Sequence, residues 1–151
     1  MNVELFVSLN RQMCNGLWLL LALPAWYFEA SLHPLRAGVL SFFPFLGTLG
    51  LLAGAAMGLL KRRSSLALFF PSFAASECYV AIAGLLRGQL RGNASLVPFC
   101  IFVLVQLVLV GHFAYRARRA PLAVLAFTVF LLSYAFLAWL IGGMAFADSW
   151  L

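Results

Sequence analysis

Residues 66–86, LALFFPSFAASECYVAIAGLL, decide how the fold is interpreted. This apolar run lies between a basic triplet at 61–63 and Arg87, and its only charged residue, Glu77, is close to its midpoint. An α-helix rises about 1.5 Å per residue, so a run of this length can cross a hydrocarbon core of about 30 Å. The stretch therefore predicts a membrane-spanning helix with an acid inside it.

The composition of the whole chain is typical of a polytopic membrane protein. Of its 151 residues, 65% are hydrophobic and only 9% are charged, and the mean hydropathy is +1.03. The connections between apolar runs are too short for an extramembrane domain, so we predict one domain over residues 1–151. The net charge of +6 comes from Lys and Arg placed mainly at the ends of apolar runs. We attribute this basicity to membrane topology and expect no nucleic-acid partner.

Five apolar runs predict an all-α bundle of five membrane-spanning helices. The predicted spans are residues 16–32, 38–60, 66–86, 94–115 and 121–147. Residues 1–15 are predicted to form an amphipathic segment on the membrane surface. The first run is only just long enough to cross, and Pro24 bends or thins it, so four spans with a re-entrant first segment are the alternative. Trp26 and Tyr27 are predicted to anchor the first span at the membrane interface.

The distribution of basic residues predicts the orientation. Seven of the ten Lys and Arg lie at the amino terminus and in the loops after the second and fourth spans, and three lie in the opposite loops. The positive-inside rule then places the amino terminus in the cytoplasm and the carboxyl terminus outside. The predicted location is a bacterial inner membrane.

Three glycines in the second predicted span, Gly50, Gly54 and Gly58, recur every four residues. Small residues on one face allow two helix backbones to approach closely, which favours helix association in lipid. We predict that these glycines form a helix-packing seam. The sequence leaves open whether the partner helix is internal or belongs to another subunit.

Glu77 is the first candidate for a functional residue. An ionisable side chain at the bilayer centre costs roughly 3 kcal/mol on insertion scales, so it should face the protein interior or a wet cavity. Gln106 is predicted to lie at a similar depth in the following span, and we expect the two side chains to form a hydrogen bond. Ser76 and Tyr134 can extend this polar patch.

His112 is the remaining candidate near this patch, close to the predicted cytoplasmic end of the fourth span. It is interpreted as a helix-end residue, with a proton-access role below Glu77 as the alternative. No two of the histidines and cysteines have metal-ligand spacing, so neither a metal nor another cofactor is expected. The odd number of cysteines, Cys14, Cys78 and Cys100, predicts no disulfide framework.

Three functions are compatible with this pattern. The first is a small membrane subunit that packs with other membrane chains and has no chemistry of its own. The second is a homo-oligomeric, proton-coupled transporter or carrier that uses Glu77. The third is a lipid-acting membrane enzyme with Glu77 as general acid. The expected partners are membrane lipids and other membrane subunits or a second copy of the chain.

Overall fold

The computed structural model of the protein describes residues 3–33, 39–61, 64–89, 94 and 96–147, and every regular element in these ranges is a helix. The helices are α1 (Val3–Leu32), α2 (Val39–Lys61), a 3₁₀ helix (Ser64–Phe69) that leads into α3 (Phe70–Leu85), α4 (Leu96–Arg116) and α5 (Pro121–Ala147). The prediction of an all-helical bundle is confirmed.

Within the described ranges, three helical stretches are long and apolar enough to cross a membrane. They are Leu66–Leu85, Leu96–Arg116 and Pro121–Phe146. A shorter apolar stretch, Phe42–Gly58, forms the middle of α2. The bundle is therefore compatible with membrane insertion by the length and composition of its helices.

Two helix boundaries differ from the predicted ones. α1 continues from Val3 to Leu32 without a break, so the predicted surface segment and the first span belong to one helix over the described residues. The third apolar run begins as a 3₁₀ helix, and its α-helix starts only at Phe70, with Pro71 in the first turn. Proline lacks an N–H and has a fixed φ, so it fits the first turn of an α-helix and disrupts the interior.

Helix α5 is the centre of the bundle. It contacts α1, α2, α3 and α4, and its pairing with α2 is the most extensive in the fold. Phe130, Tyr134 and Ala138 on α5 are buried in the core. The sequence predicts the third apolar run as the centre of the fold, whereas in the structure the other helices pack around α5.

Glycines lie where helices approach most closely. A Cβ added to Gly50 would overlap the backbone carbonyl of Ala126 on α5, and one added to Gly54 would lie 2.9 Å from the ring of Phe127. At Gly58 an added Cβ would lie 2.9 Å from Leu66 at the start of the third run. The predicted seam therefore packs within the chain.

Helices α1 and α3 cross at a pair of glycines, Gly16 and Gly84. A Cβ on Gly84 would lie 2.8 Å from the Cα of Gly16 and 2.9 Å from the carbonyl oxygen of Asn15. Both of these atoms belong to the backbone of α1. The crossing therefore has no room for a side chain at this position.

Candidate functional site

Among the described residues, the interior of the bundle contains two groups of hydrogen-bonded polar side chains, which lie on adjacent faces of α3. The serine–glutamine cluster joins α3 to α4, and the tyrosine–glutamate cluster joins α1, α2, α3 and α5. Their members are Ser72, Ser76 and Gln106 in the first, and Tyr27, Thr48, Glu77, Ser133 and Tyr134 in the second.

The serine–glutamine cluster satisfies the whole side-chain amide of Gln106. Its Nε2 donates to the backbone carbonyl of Ser72 and to the hydroxyl of Ser76, both at 2.9 Å. The hydroxyl of Ser72 donates to Gln106 Oε1. Because Ser72 and Ser76 are four residues apart, they lie on one face of α3, where a single amide reaches both. The cluster fastens α4 to α3.

The predicted hydrogen bond between Glu77 and Gln106 is wrong. Both amide hydrogens of Gln106 are donated to Ser72 and Ser76. Glu77 follows Ser76 directly and is therefore about 100° further round the helix. That rotation directs its carboxyl group to α5, where it accepts a hydrogen bond from the hydroxyl of Tyr134. Similar depth in the membrane did not make the two residues neighbours.

In the tyrosine–glutamate cluster, two tyrosines from different helices pack together. The ring centroids of Tyr27 and Tyr134 are 4.9 Å apart, and both side chains are fully buried. Tyr27 and Ser133 share a hydrogen bond of 2.5 Å. Because the Ser133 hydroxyl already donates to the backbone carbonyl of Phe130, the tyrosine is the donor. Helices α1, α3 and α5 are thus joined by hydrogen bonds in one layer.

The prediction of Tyr27 as an interfacial anchor is also wrong. Its exposed fraction is 0%, and its ring packs edge-to-face on Phe130 as well as against Tyr134. Tyrosine has an apolar body and a polar tip, so it suits a membrane interface and equally a core position that offers its hydroxyl a partner. Here Ser133 supplies that partner.

Two side-chain oxygens of the tyrosine–glutamate cluster are buried without a hydrogen bond, namely Glu77 Oε2 and Thr48 Oγ1. Thr48 lies close to the Tyr27 hydroxyl but outside hydrogen-bonding geometry. A buried polar group without a partner costs about 1–3 kcal/mol. The cluster therefore retains hydrogen-bonding capacity at one carboxyl oxygen and one hydroxyl.

The structure brings together four of the five residues predicted for the polar site. Glu77 and Tyr134 bond to each other, and Ser76 and Gln106 bond to each other, on adjacent faces around α3. His112 is exposed on α4 and joins neither cluster.

Sequence reasoning missed Tyr27, Thr48 and Ser133 as members of the site. One signal for them was present, because Gly47 lies outside the four-residue spacing of Gly50, Gly54 and Gly58 and directly precedes Thr48, a polar residue in an apolar helix. A Cβ at Gly47 would overlap both the Tyr27 hydroxyl and the Ser133 hydroxyl. A glycine beside a polar residue in an apolar helix thus marked the place where two other helices bring their hydroxyl groups.

Comparisons with protein-family models, with curated proteins and with solved structures each found no match for this chain. The class that the fold and the site define is an all-helical bundle, compatible with membrane insertion, with a polar layer in its interior.

Proposed function

We propose that the protein is a small five-span integral membrane subunit that packs with another membrane chain. Its two polar clusters hold its own helices in register. The lengths of α1 and α2, 30 and 23 residues, support two further crossings, since about 20 residues suffice to span the hydrocarbon core. The basic residues favour a cytoplasmic amino terminus, an external carboxyl terminus and a bacterial inner membrane.

The outward face of α4 is the observation that carries this proposal. Four large apolar residues lie on it at intervals of four, three and four, and their exposed fractions are 58–64%: Val97, Ile101, Leu104 and Val108. The opposite face of the helix holds Phe102, Gln106 and Phe113, which are buried. Alternating spacings of three and four, with β-branched residues next to leucine, are typical of a helix that pairs with another helix.

Lipid tolerates exposed apolar side chains, so exposure alone does not indicate a partner. The regular spacing is the relevant feature, because helices in lipid associate through the fit of their surfaces and not through hydrophobic burial. The serine–glutamine cluster takes no part in this pairing. From the sequence alone, Gln106 could have bonded to another chain. In the structure its side-chain amide makes its hydrogen bonds within this chain.

The test is the composition of the complex extracted from native membranes in a mild detergent. We expect another membrane protein to be recovered with this chain in a fixed ratio. The triple variant Ile101→Ala, Leu104→Ala, Val108→Ala should lose that partner. The matched control is Leu122→Ala, Leu125→Ala, Val129→Ala, which removes side chains of the same kinds from the exposed surface of α5. Recovery of the chain alone, or equal loss in both variants, would contradict the proposal.

A second candidate function is a proton-coupled carrier, and the unpaired oxygen of Glu77 favours it. One carboxyl oxygen accepts from Tyr134, and the other is buried with no partner. Ionisable residues inside membrane bundles frequently belong to proton relays. In this function Glu77 would exchange its proton while Tyr134 orients the carboxyl group.

Proton flux into reconstituted liposomes, followed with an enclosed pH-sensitive dye, tests this second candidate. Glu77→Gln should abolish the flux, because the amide retains a hydrogen bond to Tyr134 and cannot exchange a proton. Ser76→Ala is the control, since it changes a neighbouring side chain of the other cluster. The carrier function is ruled out if the wild-type protein conducts no faster than empty liposomes.

A further inference from the structure

A groove of about 550 Å³ runs along the outside of the bundle between α4 and α5. Its wall on α4 extends from Phe99 to Gly111, and its wall on α5 from Leu132 to Trp139. The volume is in the range of small-molecule sites, which is roughly 300–1,000 Å³. None of the functions considered above uses this groove.

The dimensions of the groove fit one leaflet of a bilayer. The twelve-residue step from Phe99 to Gly111 corresponds to about 18 Å along α4. One leaflet contributes about half of a hydrocarbon core that is roughly 30 Å thick. The lining residues of α4 are spaced by three and four, so the groove follows the helix axis, which is also the direction of an extended acyl chain in a bilayer.

The lining of the groove offers almost no free polar group, although it includes the side-chain amide of Gln106. Gln106 is part of the wall, but both of its amide hydrogens are donated to α3. Aromatic rings close the end nearest Phe99. The ring of Trp139 lies 5.5 Å from that of Phe99 and 5.5 Å from that of Phe136. A hydrocarbon chain can fill such a surface without leaving a polar group unpaired.

The opposite end of the groove leads to positive charge. A Cβ added to Gly111 would meet nothing within 4 Å, so this end is open. Tyr115 follows Gly111 by one turn on the same side of α4, and the guanidinium of Arg118 lies 4.9 Å from the centroid of its ring. Arg119 is exposed beside it. The sequence contains no acidic residue between Glu77 and Asp148, so no carboxylate of α4, α5 or their connection competes for these arginines.

We propose that the groove binds an anionic phospholipid, with one acyl chain along α4 from Gly111 to Phe99 and the phosphate at Arg118 and Arg119. Guanidinium groups bind phosphate through paired, charge-assisted hydrogen bonds. The inference does not depend on a protein partner, because Val97, Ile101, Leu104 and Val108 are not among the residues that line the groove.

The test measures lipid binding to the purified full chain by native mass spectrometry. The probes are dioleoyl phosphatidylglycerol and dioleoyl phosphatidylcholine, which have the same acyl chains and differ in net charge. A basic residue near a membrane surface contributes about 1 kcal/mol towards an anionic lipid, which is a factor of about five. We expect the anionic lipid to bind about five- to twenty-fold more tightly.

Two variants separate the acyl chain from the phosphate. Gly111→Trp should fill the open end and reduce binding of both lipids at least ten-fold. Ile101→Trp, on the side of α4 opposite the groove, should leave both unchanged. Arg118→Gln with Arg119→Gln should remove the preference for the anionic lipid. Arg116→Gln is its control, because Arg116 lies on another side of the helix end. The arginine variants change only exposed side chains and keep the test usable if Gly111→Trp does not fold.

Three outcomes would overturn the proposal. Equal binding of the two lipids by the wild-type chain would show that the arginines select no headgroup. Unchanged binding in Gly111→Trp would show that the lipids are an unspecific shell around the bundle. Displacement of a protein, and not of a lipid, from native membranes by Gly111→Trp but not by Ile101→Trp would show that a partner helix occupies the groove.

Discussion

Replacing Gly84 by alanine tests the crossing of α1 and α3 directly. The added Cβ would lie 2.8 Å from the Cα of Gly16, whereas carbon atoms pack best at about 3.5–4.0 Å, so the helices must separate by about 1 Å. The obstacle is backbone, and the carbonyl oxygen of Asn15 stands 2.9 Å away on the same side. No change of side-chain rotamer can relieve the overlap. We therefore expect the free energy of unfolding to fall by about 1–3 kcal/mol, as for other overpacked sites.

The measurement is unfolding of the purified protein by SDS in mixed micelles, followed by circular dichroism. Gly111→Ala is the control, because it adds the same methyl group to a helical glycine with open space around it. Its expected effect is zero, or a gain of up to about 1 kcal/mol from the higher helix propensity of alanine. If Gly84→Ala unfolds at the same SDS fraction as the wild-type protein, or if both variants lose equal stability, the close crossing of α1 and α3 is refuted.

Three further variants probe other contacts in the same unfolding assay. Gln106→Leu leaves the hydroxyl groups of Ser72 and Ser76 without their partner and should lower the free energy of unfolding by about 1–3 kcal/mol. An unchanged free energy would mean that the serine–glutamine cluster does not fasten α4 to α3. Tyr27→Phe removes only the hydrogen bond to Ser133 and should lower the free energy of unfolding by about 0.6 kcal/mol, the average for side-chain hydrogen bonds in a membrane protein. A decrease above about 2 kcal/mol would indicate that the hydroxyl has additional partners. Gly142→Ala would place a Cβ in overlap with the ring of Tyr79, which is buried and stacked on Phe102, so it should lower the free energy of unfolding by about 1–3 kcal/mol. An unchanged stability would contradict this close contact between α3 and α5.

The helices could be predicted from the sequence because hydropathy and end signals agree. The last helix begins at Pro121, after the run of arginines that ends α4, and extends to Ala147. Prolines and charges mark the ends of apolar runs in one dimension, and no tertiary information is needed to find them. There were two exceptions. The third apolar run began before Pro71 allowed an α-helix, and α1 includes most of the segment that was predicted to lie on the membrane surface.

The partners of the polar residues could not be predicted, because they depend on how each helix is rotated about its axis. Helices that are apolar all round give no preferred inward face. Depth in the membrane placed Glu77 and Gln106 together, but a step of one residue decided that Ser76, and not Glu77, faces α4. Tyr134 was correctly included in the polar patch, although its role as the partner of Glu77 required the structure.

Tyr27 shows a different limit of sequence reasoning. Near the end of an apolar run the same residue type is expected both at the lipid interface and in a core. Whether Tyr27 lies at the interface or in the core depended on Ser133 and Gly47. Ser133 lies more than a hundred positions away in the chain, and Gly47 lies twenty positions away. Only a three-dimensional arrangement brings these residues to the same place.

The two polar clusters become complete at different points during synthesis of the chain. Gln106 bonds to Ser72 and Ser76, which precede it, so α3 and α4 can pair as soon as α4 has been made. Tyr27 and Glu77 bond to Ser133 and Tyr134, both of which belong to the last helix. Because chains are made from the amino terminus, a nascent or truncated chain that lacks α5 holds an acid and a tyrosine hydroxyl without these partners. The tyrosine–glutamate cluster is therefore complete only after α5 has been made.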